Sequence, residues 1–222
     1  MLKILYEDNH IIVCYKPKGI LSQADGSDKE DMLTILKKYI KEKYNKPGDV
    51  YLGLVHRLDI NTSGVMVFAR TSKAASRLSE QIKKNEFKKE YLALVEGNVT
   101  NVEYKELISY LTKDENIKKS FINPNGLKSI LEYRLVNKTK INNKDISLIN
   151  IKLHTGRFHQ IRCQMSSIGH VLYGDKKYGS NNIIDPLEFP LYAYKLTFNH
   201  PTLKNELTFE YVEENYLLNG LL

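Results

Sequence analysis

Apolar and polar positions recur with two different periods along this chain, and each period predicts one kind of element. Two-residue alternation and short apolar runs indicate strands, whereas apolar residues at a 3.6-residue period indicate amphipathic helices. Strands are predicted at 4–6, 11–15, 65–70, 90–97, about 129–137, 145–153, 191–198 and 206–211. Helices are predicted from 28 to about 44, from 71 or 72 to about 82, and around 155–169. Residues 98–128 are polar and show only weak alternation.

Residues that cap helices mark the predicted helix ends. Asp28 and either Thr71 or Ser72 are suitable N-caps for the first two helices, and Thr155 is a suitable N-cap for the third. Gly169 suits the position just past the end of that third helix. Arg157 would then lie in its first turn, where the helix dipole disfavours a cation, so we expect this side chain to serve a ligand.

Composition indicates one ordinary globular domain that spans residues 1–222. The hydrophobic fraction is 42% and the charged fraction is 27%, enough apolar material for a sizeable core. The formal net charge is +7 and the pI is about 9.1, which favours a polyanionic partner. The chain has no Trp, but its 15 Tyr and 7 Phe can provide stacking surfaces.

Several classes of protein and site are disfavoured. No apolar run approaches the roughly 18 residues of a membrane helix, and the first residues lack a signal-peptide core. Cys14 and Cys163 lie far apart without metal-ligand spacing, as expected for free thiols in a reducing compartment. None of the six histidines forms a helical His-x-x-x-His pair, so no metal site is expected. We therefore predict a cytoplasmic protein that does not bind membranes.

The segment from His56 to Arg70 is the strongest candidate for chemistry. On an extended strand, Arg57 and Asp59 would project to the same side, just before a turn at 62–64 and an apolar strand. A carboxylate at the mouth of an apolar layer must be paired, or its pKa rises. Arg162, at the edge of the third helix's apolar stripe, is a candidate partner. Spacing alone leaves open whether the Arg57–Asp59 pair is structural or functional.

Other reactions need groups that this sequence lacks. The nucleophile pattern Gly-x-Ser-x-Gly is absent. An aspartyl phosphotransferase would place a second carboxylate where Asn61 stands, and it would require Mg²⁺. A glycosidase would need two facing carboxylates, of which only one is positioned. One aspartate accompanied by arginines in a basic protein indicates instead a nucleic-acid substrate.

Motifs along nearly the whole chain resemble those of the RluA-type pseudouridine synthases. The longest are His56-Arg57-Leu58-Asp59-x-x-Thr62-Ser63-Gly64 and Thr155-Gly156-Arg157-x-His159-Gln160-Ile161-Arg162. The shorter ones, in the family's order, are Lys16-Pro17-x-Gly19, Lys89-x-Tyr91-x-Ala93 with Gly97, Gly169-His170 with Gly174-Asp175, and Leu196-x-Phe198-x-His200-Pro201. This resemblance favours a functional role for Arg57 and Asp59. Val171 departs from the family, which often has proline there.

The resemblance implies an α+β catalytic domain with a mixed, largely antiparallel sheet, flanking helices and a basic central cleft. Asp59 would be the catalytic aspartate, Arg162 would keep it ionised, and Tyr91 would stack on the flipped uracil. Arg57 would fill the place of the extruded base. RNA phosphates would be held by Arg157, His159 and the lysines of 83–89, including Lys89.

The implied reaction is the cofactor-free isomerisation of a specific uridine to pseudouridine in ribosomal RNA or tRNA. We expect a monomer with no obligatory protein partner. Many relatives carry an N-terminal S4-type RNA-binding domain, whereas this sequence begins directly in the catalytic domain. An alternative stays open: a catalytically inactive RNA-binding or ribosome-assembly protein of the same fold, in which Asp59 would be dispensable.

Overall fold

A computed structural model describes residues 2–213 and residue 221. The chain divides into two compact units, the first formed by Met1–Lys88 with Ala193–Val212 and the second by Lys89–Tyr192 with Glu213–Leu222. The sequence-based assignment of 1–222 to a single catalytic domain stays a prediction.

Strands and helices of the described residues are numbered here in chain order. The strands are β1 (Lys3–Glu7), β2 (Ile11–Lys16), β3 (Gly53–Leu54), β4 (Ser63–Ala69), β5 (Lys88–Glu96), β6 (Lys105–Asp114), β7 (Lys119–Ile122), β8 (Leu127–Ile141), β9 (Lys144–Leu153), β10 (Leu191–Asn199) and β11 (Glu206–Glu210). The α-helices are α1 (Met32–Lys43), α2 (Ser72–Lys83) and α3 (Gln160–Ser167).

The first unit is built on the strand order β1-β2-β4-β10, with β3 beside β4 and β11 beside β10. The pairings of β1 with β2, β2 with β4, and β10 with β11 are antiparallel. Every residue of β2 and β4 is buried, which explains their nearly continuous apolar sequences. One face of these strands forms a core with the buried stripe of α2, to which Ala74 and Leu78 belong.

The second unit has the strand order β5-β9-β8-β6-β7, with antiparallel registers throughout this series. Helix α3 is tied to this sheet by the buried Gln164, whose amide donates to Leu107 O, Ser109 Oγ and Ser129 O. These pairings confirm the predicted α+β class with a largely antiparallel sheet.

Two predicted helix starts are wrong. Asp31, not Asp28, caps α1, because its carboxylate accepts from the Thr34 amide at 3.0 Å. Helix α3 begins at Gln160, and its N-cap is His159 in the left-handed region (φ 49°). Arg157 therefore precedes the helix and does not lie in its first turn. The other predicted ends are confirmed, since Thr71 caps α2 and Gly169 (φ +83°) follows α3.

Segment 98–128, for which the sequence pattern predicted no element, contains the hairpin of β6 and β7. Exposed apolar side chains such as Ile108, Tyr110 and Phe121 blur the alternation that a half-buried strand would show. Among the described residues, no helix combines the length and hydropathy needed to cross a membrane.

Candidate active site

Asp59 lies in an irregular, well-anchored loop of the first unit rather than on the predicted strand. Residues 55–59 have no regular secondary structure, and the Thr62 amide donates to Asp59 O to close a turn. Ser22 holds the loop from its other side, with its hydroxyl bonded to both the amide and the carbonyl of Leu58. Asp59 is half-buried and Arg57 is exposed, and neither lies on a regular strand.

Lys16 supports the same loop from underneath. Its side chain is fully buried, and the ammonium donates to the carbonyls of Pro17, Ile20 and Ile60 at 2.9, 2.7 and 3.2 Å. Burial lowers the pKa of Lys16 to about 7, and the negative charge of Asp59 opposes part of that shift. Lys16 thus places a buried amine, which titrates near neutral pH, within electrostatic reach of the candidate catalytic carboxylate.

Gly64 places the end of the loop against β10. It has φ +146°, and a Cβ added there would lie 2.2 Å from the carbonyl oxygen of Ala193. Only glycine permits this close backbone approach. The neighbouring Ser63 hydroxyl is buried and has no hydrogen-bond partner among the described residues.

In the second unit, β5 presents Tyr91 and Lys89 on one face, because strand side chains alternate. Tyr91 is buried to 6% exposure opposite Ile151. The Nζ of Lys89 lies close to Gly156, 3.4 Å from where a Cβ of that residue would stand. Burial lowers the pKa of Lys89 to about 8, so this amine titrates close to physiological pH.

The turn before α3 is rigid, since the side-chain carbonyl of Gln160 accepts from both the Thr155 hydroxyl and the Arg157 amide. Thr155 also accepts from the Ile130 amide, which fastens the turn to β8. Thr155 therefore anchors this turn to the sheet instead of capping the helix. Arg157 is exposed, and its Nε donates to Lys128 O.

Arg162 projects from the first turn of α3 and forms a bidentate ion pair with Asp175. The distances are 2.7 Å from Nε to Oδ2 and 2.8 Å from Nη2 to Oδ1. The Asp175 side chain is 1% exposed and that of Arg162 is 14% exposed. Nη1 lies 2.9 Å from Nε2 of His159, and the guanidinium faces the rings of Tyr178 and Phe189.

His159 is neutral in this arrangement. Since the guanidinium donates to Nε2, the ring proton lies on Nδ1, 3.2 Å from the Tyr178 hydroxyl. Burial, followed by the charges of Arg162, Lys177 and Lys113, lowers the pKa of His159 to about 3. Any contact of His159 with RNA would therefore be a neutral hydrogen bond. Its sequence-based role in holding phosphates stays a prediction.

Sequence reasoning missed the supporting role of two polar residues. Lys16 and Asp175 each occur in a short motif, but neither motif shows that its charged side chain is buried. No group of three or more His, Cys, Asp or Glu residues suited to a metal ion occurs within the described part of the chain.

Comparison with known proteins decides which family these features belong to. The family described as RNA pseudouridylate synthase matches residues 10–167. The chain belongs to this family. An RNA pseudouridine synthase of Aquifex aeolicus is 33% identical, with 96% of this chain and 69% of that protein covered. A ribosomal large subunit pseudouridine synthase D of Borreliella burgdorferi is also 33% identical over 88% of this chain, which spans 60% of that relative's length.

A third relative has nearly the length of this chain. The dual-specificity RNA pseudouridine synthase RluA of Haemophilus influenzae is 32% identical, with 94% of this chain and 91% of that protein covered. The solved structure of human RNA pseudouridylate synthase domain containing 4 superposes with a TM-score of 0.75 at 20% identity, covering 97% and 90% of the two chains. These findings confirm the resemblance, the fold class and the assignment as an RNA pseudouridine synthase.

Proposed function

We propose that this protein isomerises a specific uridine of ribosomal RNA or tRNA to pseudouridine, with Asp59 acting on a flipped-out nucleotide. The observation that carries the proposal is the Asp59 loop. It bears the family's longest motif and is held by buried polar side chains from Lys16 and Ser22. An anchored loop keeps the carboxylate in one position, which reduces the entropy cost of reaching the reactive geometry.

The proposed reaction needs no oxidant, metal or cofactor. The bond between C1′ and N1 of the target uridine breaks, the uracil rotates, and a new bond forms between C1′ and C5. C5 then loses its proton to solvent and N1 gains one, so atoms and electrons balance. Asp59 begins this sequence by attacking the nucleotide or by removing a proton from its sugar.

Arg162 and Tyr91 complete the proposed machinery. We assign Arg162 as the cation that keeps Asp59 ionised, because a nearby positive charge favours the carboxylate form. The buried position of Tyr91 on β5 supports its stacking on the extruded uracil, since an aromatic ring there is already ordered. Extrusion costs a few kcal/mol, and the exposed Arg57 can offset this by stacking where the base was.

The proposed substrate contacts are electrostatic. Lys89 and Arg157 would bind phosphates, which accords with the net charge of +7. Relatives named as ribosomal large subunit pseudouridine synthases support ribosomal RNA as one substrate, and the dual-specificity relative supports more than one RNA. We further propose a cytoplasmic monomer, because such RNAs are cytoplasmic and the buried free thiols fit a reducing compartment.

The deciding experiment replaces the candidate catalytic carboxylate. RNA labelled with tritium at C5 of uridine, taken from cells that lack the gene, releases tritium to water as pseudouridine forms. We expect Asp59→Asn to slow release by more than about 100-fold while RNA affinity changes little. Asp49→Asn, an equivalent change at an exposed loop position, is the control and should keep the wild-type rate.

Three outcomes would contradict the proposal. Retained turnover in Asp59→Asn would remove the aspartate from the mechanism. RNA binding without any tritium release by the wild-type protein, together with full rescue of a deletion strain by Asp59→Asn, would favour the alternative of a non-catalytic RNA-binding or assembly protein. A phosphoryl-transfer activity that EDTA abolishes, in place of tritium release, would favour the phosphotransferase alternative.

A further inference from the structure

The surroundings of Arg162 contain more polar structure than an ion pair with Asp59 requires. Asp175 accepts from Nε and Nη2, and His159 accepts from Nη1. Together they engage three of the five N–H donors of the guanidinium. Since the assignment of Arg162 belongs to the proposed function, the inference drawn here rests on that function.

We infer that Asp175 and His159 are positioning residues that fix the orientation of the Arg162 guanidinium, the group to which the proposed function gives the task of keeping Asp59 ionised. A bidentate pair fixes both the plane and the direction of a guanidinium, which one hydrogen bond does not. The contact from His159 restrains the third nitrogen. The rings of Tyr178 and Phe189, at 5.1 and 5.3 Å from the guanidinium carbon, add further restraint.

Asp175 is itself held firmly by its loop. The Asp175 amide donates to Leu172 O, and Asp175 O accepts from the Ser180 amide. The Ser180 hydroxyl is in turn bonded to the Glu96 carboxylate and accepts from the Gly174 amide. The carboxylate of Asp175 therefore has a fixed position before any substrate binds.

His159 is held just as firmly. Its left-handed backbone conformation turns the imidazole toward Tyr178, whose hydroxyl also accepts from the Ser120 amide. The chain of hydrogen bonds runs from the Ser120 amide to Tyr178 and from His159 Nδ1 to Tyr178, while His159 Nε2 accepts from Arg162. A neutral imidazole is needed, because a protonated ring could not accept from a guanidinium.

A double-mutant cycle distinguishes positioning from general support of the fold. If Asp175 acts through Arg162, Asp175→Asn slows single-turnover tritium release by about 10- to 100-fold in the wild-type background, as expected for a misplaced catalytic group. The same change has little further effect when Arg162 is already alanine, or lysine if the alanine variant is too slow to time. RNA affinity should stay within about threefold, because phosphate contacts elsewhere dominate binding.

Glu96→Gln is the matched control, because the glutamine carbonyl can still accept from Ser180 and Asn182 while a half-buried charge beside the same loop is removed. It should keep the rate within about threefold of wild type. An equal loss in Glu96→Gln, or an undiminished effect of Asp175→Asn in the Arg162 variant, would overturn the inference. A wild-type protein that releases no tritium would instead overturn the proposed function, so the two failures are distinguishable.

His159→Asn is the second variant and serves if Asp175→Asn does not fold, since asparagine tolerates the left-handed backbone. We expect a rate loss of about threefold to tenfold that disappears when Arg162 is replaced. If His159→Asn mainly weakens RNA binding, and does so equally in both backgrounds, then His159 contacts RNA directly and has no positioning role.

Discussion

At the scale of single residues, the most restrictive position in the candidate site is a glycine. Gly64 has a backbone conformation that side chains rarely adopt, and it also touches the Ala193 carbonyl. The sequence indicates a glycine in a turn at this point. Its actual role, to admit β10 beside the start of β4, depends on a residue far along the chain.

We expect Gly64→Ala to lower the free energy of unfolding by about 3 kcal/mol or more, because backbone strain and overpacking each cost about 1–3 kcal/mol. Chemical denaturation measures this change. Gly48→Ala is the control, because a Cβ at Gly48 meets nothing within 4 Å, and stability there should be unchanged or slightly higher. Equal stability of both variants would show that β4 and β10 separate at little cost.

A phosphate contact from Lys89 would give RNA binding a dependence on pH. The pKa of Lys89 is lowered to about 8 by burial, so in the protein without RNA this side chain loses its charge as the pH rises from 7 to 9. If this amine holds a phosphate, RNA affinity should fall by up to about tenfold over that range, as for one lost charged hydrogen bond. Lys89→Arg keeps its charge, so its affinity should depend much less on pH. The same slope in both proteins would rule out the Lys89 contact.

At the scale of elements, the start of α1 shows that local sequence predicts the beginning of a helix only to within a few residues. Asp28 and Asp31 both precede the apolar stripe, and either can cap a helix. The structure selects Asp31 because Leu21 pairs with it and the Met32 amide donates to Leu21 O. A contact outside the helix thus decides where the helix begins.

Asp31→Ala should lower the free energy of unfolding by about 1 kcal/mol, the usual cost of a lost N-cap. Asp28→Ala removes an exposed carboxylate of the same type and should have almost no effect. Thermal or urea unfolding of the two variants measures the difference. A larger loss from Asp28→Ala would mean that the helix starts where the sequence pattern first suggested.

The start of α3 was also predicted too early, and this error changes where the site residue Arg157 lies. The apolar spacing suggests a helix that already includes Phe158, yet the left-handed His159 ends the preceding turn and delays the helix. Gln160, bonded to Thr155 and Arg157, stabilises that turn. This local structure explains why Arg157 lies outside the helix, where it is exposed to solvent.

At the scale of the whole molecule, side chains from the two ends of the sequence contact each other within the first unit. The buried imidazole of His200 lies 2.8 Å from the carboxylate of Asp8, across a separation of 192 residues. Asp8 also accepts from the amides of His10 and Ile11 at the turn between β1 and β2. This contact fastens the turn after β10 to the start of the chain.

The Asp8 contact makes stability depend on pH. Burial raises the pKa of Asp8, but hydrogen bonds from the amides of Ile11 and His10, and from His200, outweigh this and leave the pKa below its usual range. The unfolded chain then takes up the proton first, so the free energy of unfolding falls as pH drops from about 5 toward the folded pKa. Acid unfolding of Asp8→Asn should have a shallower slope than wild type, whereas Asp28→Asn should match wild type. Equal slopes for Asp8→Asn and wild type would contradict this account.

The sequence by itself determined most of the strands, the approximate helices, the family and the identity of the candidate catalytic aspartate. These properties depend on local periodicity and on contiguous motifs, which can be recognised without knowledge of long-range contacts. The hairpin of β6 and β7 was not predicted for the same reason, because its exposed apolar residues remove the alternation that identifies a strand.

Only the tertiary structure decided which polar groups meet. Lys16 reaches the carbonyl of Ile60 across a sequence separation of 44 residues, and Arg162 reaches the carboxylate of Asp175 across a separation of 13. Burial of these charges is stable because each is surrounded by acceptors or a counter-charge, and such surroundings exist only after the chain has folded. For that reason the motifs identify the reacting carboxylate, while its support becomes visible only in three dimensions.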